Sequence, residues 1–242
     1  MSKGEGDPVT HLDLEAEARM RGAITKAWPT HGFLGEETGA TGLDREFVWI
    51  VDPIDGTANF AANITPWGVA IACLTRGAPI AAAVFGMPGR RTFAAAASRG
   101  ARLDGEPIRL QVGGALGPDS LVGMQWFRGE TRLPFLPRIL ATGTRIRVQG
   151  STVTQICDVA TGQLTANIQT QGRIWDIAAP ALILEEAGGD LCDWQGRAIF
   201  PLRALDRERH YPSVSGTRAV VSQVIATLAS PPRGRDAHRG DR

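Results

Sequence analysis

Cysteine, histidine and net charge are all in short supply in this 242-residue chain. The three cysteines, Cys73, Cys157 and Cys192, are odd in number, widely spaced and set among apolar neighbours. That pattern argues against a disulfide framework and suits reduced thiols in the core of a cytosolic protein. The four histidines form no ligand-like cluster, which argues against zinc. With a formal net charge of +1 and 21% charged residues, the chain carries no overall electrostatic footprint for nucleic acid or an anionic membrane, and neither is expected as a partner. No stretch reaches the roughly 18 apolar residues that a membrane span needs, and the opening MSKGEGDPVTHLD has no apolar signal region. A soluble, cytoplasmic protein is expected. The length fits one large domain or two closely joined lobes.

The patterned segments alternate between helix and strand. Residues 12–28 place Leu12, Ala16, Met20, Ala23, Ile24 and Ala27 at helical spacing, with Pro29 closing the helix. Residues 47–51 are a continuous apolar run, as in a strand buried on both faces. WGVAIACLT, PIAAAVFGM and TFAAAA follow as strands separated by short turn signals, which predicts an antiparallel meander. Residues 114–137, rich in Gly and Pro, read as a crossover between lobes of about 1–143 and 144–228 within a single domain spanning 1–228. The second half offers the strand RIRVQ, a helix TVTQICDVATGQL capped by Ser151, and the strand LTANIQT. A helix over WDIAAPALILEEAGG, with Pro180 near its fourth position, predicts a widened first turn. The last helix is TRAVVSQVIATLA, and residues 229–242 are expected to be a disordered tail.

Against this background WIVDPIDGTANF stands out, because a strand-like apolar run ends in two aspartates, Asp52 and Asp55. Buried carboxylates cost several kcal/mol each unless bonded, paired or bound to metal. Further acids stand at the ends of elements: Asp13 at the first helix, Glu36 and Glu37 in FLGEET, and Asp176 after Trp175. Hard oxygen donors without His or Cys suit Mg²⁺. Gly56 and Thr57 open a turn whose backbone N–H groups suit a phosphate. A metal cluster beside an anion cradle points to phosphoryl hydrolysis. Two residues separate the aspartates, which argues against the Asp-x-Asp pattern of phospho-aspartate phosphatases.

GEE, WIVDPIDGTANF, GST and WDIAAPALILEEAGG together resemble the inositol monophosphatase family of Mg²⁺-dependent, lithium-sensitive sugar phosphatases. The resemblance implies an α+β fold, a layered αβαβα sandwich, often dimeric, with the family's N-terminal helix missing from this chain. It implies metal ligands at Glu36, Asp52, the carbonyl of Ile54, Asp55 and Asp176, holding two or three Mg²⁺, for which Mn²⁺ or Ca²⁺ can substitute in crystals. Glu36, and Thr57 paired with Asp13, would be the catalytic groups that activate a water. Gly56 and Thr57 would bind phosphate, and Gln169, Ser151 and Arg173 would face the substrate. In relatives acting on inositol phosphate, an acid seven residues before the Trp-Asp aspartate holds ring hydroxyls, and here that position is Gln169. The substrate is expected to be a small polyol or sugar phosphate such as inositol monophosphate. Histidinol phosphate, fructose bisphosphate and adenosine 3',5'-bisphosphate remain open, as does a non-catalytic regulatory binding protein on the same fold.

Overall fold

Alternating and continuous apolar runs in the first half build one large sheet. The structure is a computed structural model and describes residues 11–111, 114–125 and 133–229. Its first half comprises α1 (His11–Ala27), β1 (Gly32–Gly35), β2 (Gly39–Thr41), β3 (Phe47–Asp55), α2 (Thr57–Ala61), β4 (Trp67–Thr75), β5 (Ala78–Met87), β6 (Arg91–Ala96), β7 (Ala101–Leu103) and β8 (Glu106–Ile108). The second half comprises β9 (Leu121–Gln125), α3 (Leu136–Leu140), β10 (Arg145–Arg147), α4 (Thr152–Ala160), β11 (Ala166–Gln169), α5 (Ile174–Glu186), β12 (Asp190–Cys192), β13 (Ser213–Gly216) and α6 (Arg218–Ala229). The eight-stranded sheet runs β2-β1-β3-β4-β5-β6-β7-β8 and the five-stranded sheet β10-β9-β11-β13-β12.

From β3 to β8 every neighbour is antiparallel, so the expected meander is present. Arg76 and Gly77 make its first hairpin turn with φ of 49° and 76°, the mirror-image turn geometry that matches strand twist. β1 pairs parallel with β3, which carries the turn after β1 to the same end as Asp52.

Three apolar layers hold the sheets. α1 lays Ile24 against Phe33 and Val51 on the outer face of the large sheet. α4 and α5 fill the space between the sheets, where Val84, Phe93, Ile156, Ile177 and Ile183 are completely buried. All nine residues of α4 are buried, as expected of a helix with neighbours on every side. On the far face of the small sheet, α3 and α6 close over Val122, Met124, Ile168 and Val214. The order is helix, sheet, helix pair, sheet, helix pair, which is the αβαβα layering.

Several expectations are corrected. Leu121–Gln125, inside the Gly- and Pro-rich segment read as a crossover, is a strand lying between β10 and β11. Its Val122 and Met124 are fully buried, yet five residues flanked by Gly and Pro give too little alternation to register as a strand. α4 stops at Ala160, four residues short of the expected Leu164, because the chain leaves the helix through a turn at Thr161 and Gly162. Pro180 is the seventh residue of α5, counting from Ile174, so the first turn closes normally through Asp176 N–H to Arg173 O at 3.2 Å. The missing N–H instead deprives the Asp176 carbonyl of its helical donor. Cys73, Cys157 and Cys192 are buried free thiols, and burial pushes Cys73 and Cys192 up to about 11. Among the described residues no helix is long and apolar enough to cross a membrane. The position of the family's N-terminal helix and most of the expected tail lie outside the described residues.

Candidate metal centre

Strand side chains alternate faces, so residues three apart ordinarily point in opposite directions. Asp52 and Asp55 escape that rule through a bulge in the ladder with β4. Asp52 lies opposite Ala70 and Asp55 opposite Gly68, so Pro53 and Ile54 together stand against one partner residue. The extra residue restores parity and sets both carboxylates on one face. Proline is tolerated at such a position because a bulge interrupts the ladder hydrogen bonds. The motif is therefore the end of a buried strand.

Asp176, in the first turn of α5, completes the cluster. Carboxylate oxygens of Asp52, Asp55 and Asp176 lie within 4.8 Å of one another. Glu36, just after β1, brings its carboxyl beside that of Asp52. Burial, then the charges of Glu36, Asp55 and Asp176, push the Asp52 carboxyl well above the usual carboxylate range. Burial also pushes Asp55 up to about 6, against the hydrogen bonds it accepts at the start of α4.

Asp52 Oδ1 is buried and has no hydrogen-bond partner among the described residues. A buried carboxylate oxygen left this way is costly. An all-oxygen donor set with one unsatisfied oxygen fits a hard divalent cation such as Mg²⁺. Asp52, Asp55 and Asp176 are the side chains brought together there.

Each carboxylate is aimed by neighbours. Asp55 accepts from the Ser151 hydroxyl, from Thr152 N–H at 3.3 Å and from Val153 N–H at 2.9 Å. Ser151 is also the N-cap of α4, accepting from Thr154 N–H. Asp176 Oδ2 reaches back to Arg173 N–H at 2.7 Å. The turn bearing Glu36 is held by Glu17, a fully buried residue of α1 that accepts Glu37 N–H at 2.7 Å, Thr38 N–H at 2.8 Å and the Thr38 hydroxyl. Gly35 packs so close that a Cβ there would lie 2.3 Å from the Glu17 carboxylate.

The remaining expected residues are placed as follows. The Thr57 hydroxyl lies 2.9 Å from Ile54 O and 3.3 Å from Asp13 Oδ1. One hydroxyl has one proton, so these two acceptors compete for it. Gly56, at φ 86°, precedes α2, and a Cβ there would stand 3.0 Å from Gly150 O and 3.2 Å from Pro66 O. Gln169 is fully buried. Its carbonyl accepts the Thr152 hydroxyl at 3.2 Å and its amide donates to Gln171 O at 2.7 Å. Ser151 is likewise fully buried. Arg173 donates to the carbonyls of Arg207 and Glu208.

Sequence reasoning missed Glu17 and Arg207. Glu17 lies four residues after Asp13, one helical turn along the same face of α1, and that spacing was a readable signal. Arg207 donates from Nη2 to Glu36 O at 2.6 Å across 171 residues of sequence, a pairing that no local pattern announces.

Two stacked sheets with a buried carboxylate cluster at the end of a bulged strand define a layered α+β protein of the sugar-phosphatase type. The family follows from comparison: the sequence profile of the inositol monophosphatase family matches residues 1–230, and the chain belongs to that family. A Nus factor SuhB from Pseudomonas aeruginosa is 33% identical over 208 residues, covering 82% of this chain and 76% of the relative. The crystal structure of the extragenic suppressor protein suhB from Bartonella henselae superposes with a TM-score of 0.86 at 28% identity, covering 95% of this chain and 88% of that one. An IMPase/NADP phosphatase complexed with Mg²⁺ and phosphate shares the fold at a TM-score of 0.84 and 23% identity, covering 96% and 85% of the two chains.

Proposed function

We propose that the protein is a cytoplasmic, homodimeric Mg²⁺-dependent phosphomonoesterase that hydrolyses a small polyol or sugar phosphate such as inositol monophosphate. The observation that carries this reading is the convergence of Asp52, Asp55 and Asp176 within 4.8 Å, with one Asp52 oxygen buried and unsatisfied. The structural relative bound to Mg²⁺ and phosphate supports it.

When bound, divalent cations neutralise the developing charge on phosphate and acidify water. The chain's own residues do the rest. Asp52, Asp55, Asp176, Glu36 and the carbonyl of Ile54 hold the cations. Glu36 accepts the proton of the attacking water, aided by the Thr57 hydroxyl. The Thr57 hydroxyl would donate to Asp13 if the Ile54 carbonyl were engaged in holding a cation. Backbone N–H groups of Gly56 and Thr57 hold the phosphate oxygens. The water oxygen bonds to phosphorus, the bond to the ester oxygen breaks, and that oxygen takes up a proton, releasing inorganic phosphate and the alcohol. Ser151, Gln169 and Arg173 lie on the proposed substrate side, where a ligand would have to share their present partners.

A second reading is a regulatory protein that acts by binding, favoured by curated relatives that carry the name Nus factor. Phosphate release from inositol 1-phosphate, histidinol phosphate, fructose 1,6-bisphosphate and adenosine 3',5'-bisphosphate, each with Mg²⁺ and with EDTA, separates the two. Mg²⁺-dependent turnover of at least one ester supports the phosphatase. Failure on the whole panel supports the binding protein.

A further inference from the structure

We propose that Arg207 is a positioning residue that ties Glu36 to Asp176 and thereby sets the affinity of the metal centre. The inference rests on the metal-centre reading above. Arg207 belongs to the irregular segment between β12 and β13, remote in sequence from every residue of the cluster. Its Nη2 donates to the backbone carbonyl of Glu36 at 2.6 Å. The guanidinium carbon lies 6.0 Å from the ring centroid of Trp175, the residue next to Asp176.

The backbone of Arg207 is fastened in turn. Arg173 Nη1 donates to the Arg207 carbonyl at 3.4 Å and to the carbonyl of Glu208, and its Nη2 lies 3.8 Å from Glu208 Oε2. The N–H of the same Arg173 donates to Asp176 Oδ2 at 2.7 Å. The connections therefore run without a gap from the backbone of Glu36 through Arg207 and Arg173 to the carboxylate of Asp176. Glu36 directly follows β1 of the large sheet and Asp176 lies in a helix between the sheets, so their separation is a matter of how these layers are held. Partners behind metal ligands that fix them in this way typically change metal affinity by 10–100-fold when removed.

A simple loop anchor would alter stability and leave metal binding alone, and a lone positive charge would oppose a cation. Calorimetric titration of Mn²⁺ into the full-length protein separates these roles. Arg207→Met keeps an apolar side chain of comparable reach and removes both the charge and the donors. Arg207→Lys keeps the charge and one donor without the planar fork. Arg197→Ala, at an exposed residue paired with Asp193, serves as the control. The expected result is a tenfold or greater loss of Mn²⁺ affinity in Arg207→Met, a smaller loss in Arg207→Lys, and none in Arg197→Ala. Unfolding temperatures in EDTA should differ little between Arg207→Lys and the unsubstituted protein. Unchanged or tighter Mn²⁺ binding by Arg207→Met overturns the inference while leaving the metal centre intact. Unsubstituted protein that takes up no Mn²⁺ overturns both.

Discussion

Ser151 donates its hydroxyl to Asp55 across 96 residues of sequence, joining the end of a large-sheet strand to the first turn of a helix buried between the sheets. The same Asp55 carboxylate accepts Thr152 and Val153 N–H groups, so it rests on the positive end of α4. Those bonds favour the charged form, yet burial still pushes Asp55 up to about 6. The site thus aims a carboxylate with care while leaving its charge uncompensated, an arrangement that a cation completes.

Ser151→Ala removes both the bond to Asp55 and the N-cap of α4. Loss of a cap costs about 1 kcal/mol, which in a chain of this size lowers the unfolding temperature by roughly 2–4 °C. Mn²⁺ affinity should fall by roughly tenfold, since Asp55 loses a partner that orients it. Thermal unfolding in EDTA and Mn²⁺ calorimetry check the two effects separately.

The stability of metal-free protein should fall as pH rises. The folded state holds Asp55 protons up to about pH 6, whereas the unfolded chain releases them near 3.8. Between those values the folded state binds more protons, so for this group stability is greatest at the acid end and declines toward neutrality. Asp52, also raised by burial and its acidic neighbours, adds to the decline in the same direction. With Mg²⁺ the trend should reverse across the same window, because the cation binds the deprotonated form. Unfolding temperatures from pH 4.5 to 7.5 with EDTA and with Mg²⁺ should therefore converge at low pH and diverge at neutral pH. Parallel curves contradict this.

Glu17→Gln should cost roughly 1.5–3 kcal/mol, the range for hydrogen bonds to a charged acceptor. The amide NH₂ would face N–H and O–H donors that now point at a carboxylate. The turn bearing Glu36 loosens as a result, and Mg²⁺-dependent activity should fall with it. Urea unfolding gives the stability change, and Mn²⁺ titration shows whether Glu36 has moved.

Gly56→Ala places a side chain at φ 86° with backbone oxygens of Gly150 and Pro66 at 3.0 and 3.2 Å from its Cβ. Strain of this kind costs on the order of 1–3 kcal/mol. The same substitution in an open loop glycine such as Gly100, which has nothing within 4 Å of its Cβ, should cost less because only the φ penalty applies. Equal losses from urea unfolding of the two variants contradict the packing argument.

Many of the elements were readable in the chain because their signals are local, whereas the αβαβα layering was implied only by the resemblance to the family. The meander announces itself through apolar runs and short turns, and α5 through its helical apolar periodicity. The cluster was readable because carboxylates in an apolar strand demand compensation. The bulge was not, since the sequence shows Asp52 and Asp55 three apart without showing that Pro53 and Ile54 share one partner position. β9 went unread because five residues between Gly- and Pro-rich stretches carry little pattern. Glu17 and Arg207 act through backbone groups 20 and 171 residues away, and such pairings are fixed only by the tertiary fold.

On this reading a divalent cation compensates carboxylates whose crowding is otherwise unfavourable. Thermal unfolding of Asp52→Asn beside the unsubstituted protein, each in EDTA and in Mn²⁺, tests it most directly. The amide should relieve like-charge repulsion, stabilising the EDTA-treated protein by roughly 1–3 kcal/mol, and abolish the stabilisation by Mn²⁺. A variant that is destabilised in EDTA yet still gains the full Mn²⁺ stabilisation would contradict it.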